Sequence, residues 1–158
     1  MPVMSIVSRL ATTSTSLKNT EKIGELIGKQ LKGGEVIELI SDLGGGKTVL
    51  VKGIAKGAGS TDLVSSPTFT ISKVYDCPEF NINHFDFYRL DDPGLVAHEL
   101  AESIEDNKSV TVIEWPKTVE KILPRKRITV TIVQSGDLQR QIKISYSPEF
   151  EYLFKDLK

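Results

Sequence analysis

One cysteine, two histidines and one tryptophan are all that this chain holds of those residue types. The lone Cys77 has no partner in the chain, which excludes an internal disulfide and fits a reducing compartment. His84 and His98 have no Cys or acid neighbours at metal-ligand spacing, which argues against a zinc site. No apolar run is long enough to span a bilayer, and no charged-then-apolar signal segment stands at the start. The expectation is a cytoplasmic protein without a membrane partner. An excess of one charge is also missing: 20 Lys and Arg face 21 Asp and Glu, a net charge of −1. That argues against a dedicated nucleic-acid coat or a polybasic membrane binder, while RNA approached through a partner stays open. Repeats, low-complexity tracts and linker compositions are absent too. With 158 residues, 39% hydrophobic and 26% charged, a single domain over 1–158 with one core is the natural reading.

Against this plain background one stretch stands out: Ser41-Asp42-Leu43-Gly44-Gly45-Gly46-Lys47-Thr48, preceded by the apolar run Val36–Ile40. Glycine reaches positive φ and has no side chain to block an anion, so successive N–H groups there turn toward phosphate oxygens. The helix that follows adds its own free N–H groups and dipole. Lys47 would reach the outer phosphates and the Thr48 hydroxyl would ligate Mg²⁺. The usual pattern starts with Gly where this chain has Ser41, a small, turn-compatible residue for which a similar loop geometry is expected.

Around that loop the hydrophobic pattern predicts an α/β chain. Residues 1–13 suit an edge strand or a loosely packed arm, and Thr12 to Ser16 reads as a loop rich in capping hydroxyls. A helix is predicted over 18–32, a strand over 36–40 and a helix over 47–58, whose apolar face holds Leu50, Val51, Ile54 and Ala55. Residues 69–75 and 81–86 alternate like two strands of a hairpin, so the sheet is mixed rather than purely parallel. A helix over 94–104, with Asp91 or Asp92 near its cap, precedes a buried-type strand, Val110–Ile113. Residues 117–123 fit a short helix, 127–133 and 140–146 a terminal hairpin, and the tail from Ser147 another short helix.

Two acids sit where strands end: Asp86 after His84-Phe85 and Glu114 after Val112-Ile113. Ligands gather at the carboxyl ends of strands in open α/β sheets, so both are candidates for metal or water. Each also suits a plain ion pair with a base such as Arg89. His84 fits a packed residue or one that supports a ligand. Ser65-Ser66-Pro67-Thr68-Phe69 fits either a γ-phosphate-sensing loop or a turn into a strand. Trp115 suits the core or the mouth of a site, and the basic residues from Lys117 to Arg127 suit a solvated face, or one that approaches RNA or an acidic partner.

Leu43-Gly44-Gly45-Gly46-Lys47-Thr48, Ser66-Pro67-Thr68-Phe69, His84-Phe85-Asp86-Phe87-Tyr88-Arg89-Leu90 and Ile113-Glu114-Trp115-Pro116, in this order, closely resemble the TsaE (YjeE) family of bacterial ATPases. The resemblance covers about Thr20 to Arg140. It implies a P-loop NTPase-like three-layer fold, with a mixed β-sheet flanked by helices. It also implies an ATP- and Mg²⁺-dependent accessory protein for threonylcarbamoyladenosine at adenosine 37 of tRNA. That protein would act on the complex of the TsaD transferase with TsaB and meet tRNA only through it. By position, residues 41–48 would take the phosphates, with Thr48 and Glu114 on Mg²⁺. Asp86 would stand next to the metal or its water, and Lys47 and Thr68 would serve hydrolysis, Thr68 from a switch-like loop. Trp115 would lie close to the nucleotide, Thr20 near the adenine side, and Arg140 at a C-terminal basic position. Ser41 and Val49 depart from the family's usual Gly and Thr.

Other functions fit less of the sequence. A small-molecule kinase needs a lid of arginines, and the one cluster is Arg125-Lys126-Arg127. A GTPase normally carries Asn-Lys-x-Asp after a strand, whereas Asn107-Lys108-Ser109-Val110 precedes one and lacks the acid. A nucleotide-gated binding module with negligible hydrolysis would use the same residues as the ATPase.

Overall fold

The computed structural model describes residues 6–42, 44, 46–67, 71–88, 90, 92 and 94–158. The readings placed on Leu43, Gly45, Thr68, Phe69, Arg89 and Asp91 lie outside the described residues.

Seven strands form one mixed sheet in the order β1-β7-β6-β2-β5-β4-β3. They are β1 (Ser8–Ser14), β2 (Val36–Ile40), β3 (Ser72–Asp76), β4 (Asn81–Asp86), β5 (Ser109–Glu114), β6 (Ile128–Gln134) and β7 (Arg140–Tyr146). The central four, β6-β2-β5-β4, run parallel, and β3 and β7 are antiparallel to their neighbours. β1 pairs antiparallel with β7 at the far edge. Because β1, β2, β4, β5 and β6 all point the same way, Ser14, Ile40, Asp86, Glu114 and Gln134 end at one edge of the sheet. Side chains alternate between faces, which splits the core in two. Ile37, Leu39, Ile82, Val110 and Val112 pack with helices α1 (Leu17–Gly28) and α2 (Lys47–Gly57). Val36, Phe85 and Ile113 pack with Leu100 of α3 (Gly94–Glu105) and with Val119 and Leu123.

α1 and α3 each begin beside a side-chain oxygen, whereas α2 starts at Gly46 with no side-chain cap. The Ser16 hydroxyl accepts from Asn19 N–H at 3.0 Å, Thr15 N–H donates back to the Asn19 side chain at 3.1 Å, and Asp92 Oδ1 accepts from Gly94 N–H at 3.1 Å. α1 and α2 meet backbone to backbone. A Cβ at Gly53 would stand 2.0 Å from the Glu21 carbonyl oxygen, and one at Gly28 2.1 Å from that of Ile54. Glycine inside a helix costs about 1 kcal/mol relative to alanine, and only this contact explains Gly24 and Gly53 at interior positions.

Several elements differ from the sequence reading. α1 stops at Gly28 instead of 32, because Gln30 and Leu31 turn back onto the Ile27 and Gly28 carbonyls ahead of Gly33-Gly34. Thr12–Ser14 belongs to β1 instead of a loop: Ser and Thr tolerate an edge strand once β7 supplies the pairing. The short helices at 117–123 and after Ser147 are 3-10 turns, Pro116–Val119 and Pro148–Phe154. Among the described residues no helix is long and apolar enough to cross a membrane.

Candidate functional site

The loop that leaves β2 enters α2 with no intervening segment. Gly44 and Gly46 have φ of +75° and +99°, and a Cβ at either would meet nothing within 4 Å. Glycine is needed there for conformation, and the space beside it is open to a ligand. Lys47, the first residue of α2, is buried. Its ammonium donates to Ser41 Oγ at 3.0 Å and to the Ser41 and Asp42 carbonyls at 3.3 and 3.4 Å. Ser41 therefore enters the loop's bonding through its side chain, which a glycine would lack, and it also donates to its neighbour's carbonyl at 2.9 Å. The Trp115 ring lies 4.3 Å from the same ammonium. Burial pulls the Lys47 pKa below its ordinary value, while Glu114, Asp86 and Asp42 pull it the other way without restoring it. An ammonium in that condition gains from any further negative charge placed beside it.

A cleft of about 290 Å³ opens over the loop. Gly44, Gly46, Lys47, Thr48 and Val49 line one side and Asp86 and Glu114 the other, with Leu17, Ser66, Tyr88 and Trp115 around them. The two acids meet because β4 and β5 are parallel neighbours whose register sets Asp86 opposite Glu114. Both are buried, at 4% and 3% exposure, so they act in a medium where charge is weakly screened. Asp86 Oδ1 accepts Tyr88 N–H at 2.9 Å, which fixes the turn after β4. Glu114 Oε2 lies 2.7 Å from His84 Nε2, and His84 is fully buried. Two non-glycine residues among those described adopt positive φ, Ile71 at 70° and Trp115 at 56°, and both adjoin the acids. The Ile71 carbonyl accepts Asp86 N–H at 2.8 Å, and Trp115 follows Glu114 directly. Backbone strain of this kind costs of order 1–3 kcal/mol and gathers where geometry matters.

The fold thus brings Lys47, Thr48, Asp86, Glu114 and Trp115 to one cleft. Thr20 does not line it. Its side chain is buried and bonded to Ser14 Oγ at 2.5 Å, and Leu17 occupies the cleft from the same helix. Arg140 stands opposite Ser14 in the β1–β7 register, at the sheet edge shared by the cleft but outside its lining. Its buried Nε has no hydrogen-bond partner among the described residues. Arg125-Lys126-Arg127 lies before β6, at the opposite end of the sheet, where Arg127 pairs with Glu38 at 3.0 Å. The sequence reading missed Leu17 and Tyr88. Tyr88 was legible as an aromatic two residues past a strand-end acid, and its ring stands 4.9 Å from that of Trp115.

Comparison with known proteins points one way. A family model described as "Threonylcarbamoyl adenosine biosynthesis protein TsaE" matches residues 14–142. The chain is 33% identical over 153 residues to the tRNA threonylcarbamoyladenosine biosynthesis protein TsaE of Bacillus subtilis (strain 168), covering 96% of this chain and 95% of that one. It is 34% identical over 131 residues to the protein of the same name from Nostoc sp., covering 81% and 80%. The crystal structure of YdiB from Bacillus subtilis superposes with a TM-score of 0.78 at 31% identity, covering 98% of this chain and 97% of that one.

Proposed function

The chain belongs to the TsaE family of threonylcarbamoyl adenosine biosynthesis proteins, and we propose that its part in this tRNA modification is that of a single-domain P-loop ATPase using Mg²⁺. Slow hydrolysis of ATP in the cytoplasm would act on the complex of TsaD and TsaB, and on tRNA only through that complex. The observation that carries this reading is the convergence, in one cleft, of the glycine loop, the buried Lys47 and two register-paired carboxylates.

The loop's N–H groups and the start of α2 receive the phosphates, with Lys47 exchanging its Ser41 and Asp42 contacts for phosphate oxygens. The donor set fits Mg²⁺. Among the described residues no group of three His, Cys, Asp or Glu gathers, and Mg²⁺ asks for one or two protein oxygens with the rest from phosphate and water. Thr48 and Glu114 supply those two, and the ion when bound neutralises charge on the outer phosphates. Asp86, buried beside Glu114, would orient a water for attack, and Thr68 would serve hydrolysis as the family resemblance implies. Trp115 and Leu17 cover the nucleotide, and Thr20 and Arg140 support the adenine side from the neighbouring sheet edge. Among the described residues that line the cleft Lys47 is the one cation, and Arg125 to Arg127, the cluster a kinase lid would need, stand at the other end of the sheet.

The test is ATP hydrolysis by the purified protein, alone and with its TsaB and TsaD partners plus tRNA. The reading expects weak activity alone that rises with the partners. Activity that ignores the partners while a small metabolite becomes phosphorylated would replace it with a kinase.

A further inference from the structure

Behind the cleft, a line of buried polar contacts runs from the loop at Ser65 to Glu114. The Tyr75 hydroxyl donates to the Ser65 carbonyl at 3.0 Å and lies 3.1 Å from His84 Nδ1. The other ring nitrogen, Nε2, holds Glu114 Oε2 at 2.7 Å. Tyr75 is 2% exposed, His84 0% and Glu114 3%, so removing one partner leaves a buried polar group to be satisfied in another way, at a cost. The line also crosses three strands diagonally: His84 of β4 stands two residues out of register with Tyr75 of β3, whose partner is Ile82, and with Glu114 of β5, whose partner is Asp86. At the loop end, Lys73 Nζ bonds the Ser65 hydroxyl, and the next residue, Ser66, lines the cleft.

We infer that His84 and Tyr75 are positioning residues for Glu114, and that they couple the Ser65 loop to the carboxylate that takes the metal. The inference rests on the reading of Glu114 as a Mg²⁺ ligand. A carboxylate on a flexible side chain must be held in one rotamer to present an oxygen to a small, geometrically demanding ion. His84 does this by occupying Oε2, which leaves Oε1 for the cation. Tyr75 in turn fixes the imidazole ring through Nδ1. Supporting contacts of this kind typically change metal affinity by about 10–100-fold when removed. Because one Tyr75 hydroxyl serves both His84 and Ser65, the loop and the carboxylate are set together.

The readout is the magnesium gain: the ratio of ADP dissociation constants in EDTA and in Mg²⁺, measured by calorimetry. His84→Leu is expected to lose roughly tenfold or more of that gain, with ADP affinity in EDTA unchanged. His84→Gln, which keeps an N–H for Glu114, is expected to retain most of it, and Tyr75→Phe to fall between the two. In the wild type, Mg-ADP is expected to slow amide exchange across residues 60–67 relative to metal-free ADP, and Tyr75→Phe is expected to abolish this difference. If His84→Leu does not fold, Tyr75→Phe and His84→Gln decide the matter alone. Wild-type magnesium gain in Tyr75→Phe, with Glu114→Gln abolishing it, would overturn the positioning role and leave the metal reading intact. Wild-type gain in Glu114→Gln would overturn the metal reading itself, and this inference with it.

Discussion

On the face of the sheet that carries the phosphate loop, α1 and α2 touch through glycines, and helix backbone lies directly on helix backbone. On the opposite face α3 packs through side chains, with Leu100 buried among Val36, Phe85, Phe87 and Ile113. Ser103 of the same helix bonds Thr111 of β5 at 2.6 Å and Asn83 of β4 at 2.8 Å. A backbone contact has no rotamers to adjust, whereas a side-chain contact relaxes around a change. The contrast follows from what each face supports. Lys47 and Thr48 sit at the start of α2, so any shift of that helix is a shift of the phosphate site. α3 contributes no residue to the cleft lining.

Leu100→Ala gives the largest expected loss of stability, about 3 kcal/mol in urea unfolding from lost burial and the cavity left behind. Its ADP affinity is expected to stay at the wild-type value. Gly53→Ala loses somewhat less, about 2 kcal/mol, because crowding against the Glu21 carbonyl is offset in part by better helix propensity. It is nevertheless expected to weaken ADP binding roughly tenfold, since small misplacements at a site cost disproportionately. Equal affinity in the two variants would erase the distinction between the faces. A smaller effect comes from Ser103→Ala: about 1 kcal/mol for the lost hydrogen bonds, again with affinity preserved. The mildest probe is Cys77, on the glycine-seam face, whose thiol is pushed up to about 11 by burial, with Asp62 and Asp76 adding to the shift. A raised pKa leaves less thiolate at pH 8, so alkylation there should run about a hundredfold slower than for an ordinary thiol. The rate should climb steadily from pH 8 toward pH 11. Alkylation at the ordinary rate would mean that this edge opens readily.

Much of this was legible in the chain, and the remainder fails for identifiable reasons. The loop at 41–48 declares itself because glycines between a β-branched run and a helix have few other uses. Asp86 and Glu114 were readable as strand ends, but their meeting depends on the β4–β5 register, which no local pattern encodes. The same holds for His84, whose partner Glu114 is thirty residues away along the chain. Leu31 kept the helical spacing and so carried the predicted helix past Gly28, although in the structure Leu31 is buried from a turn. The glycine seam was visible as repeats four residues apart, Gly24 and Gly28, then Gly53 and Gly57. Read singly, such glycines look like weak helix positions or helix ends. Only the pairing of the two repeats reveals a contact.

The central claim is that the cleft over α2 binds a magnesium nucleotide, and titration of ATP into Lys47→Ala and Thr48→Ala, with and without Mg²⁺, tests it most directly. Losing a charge-assisted phosphate contact should weaken ATP binding about tenfold or more in Lys47→Ala under both conditions. Thr48→Ala should match the wild type in EDTA and fall behind it only when Mg²⁺ is present. Unchanged ATP affinity in both variants would place the nucleotide elsewhere and contradict the account.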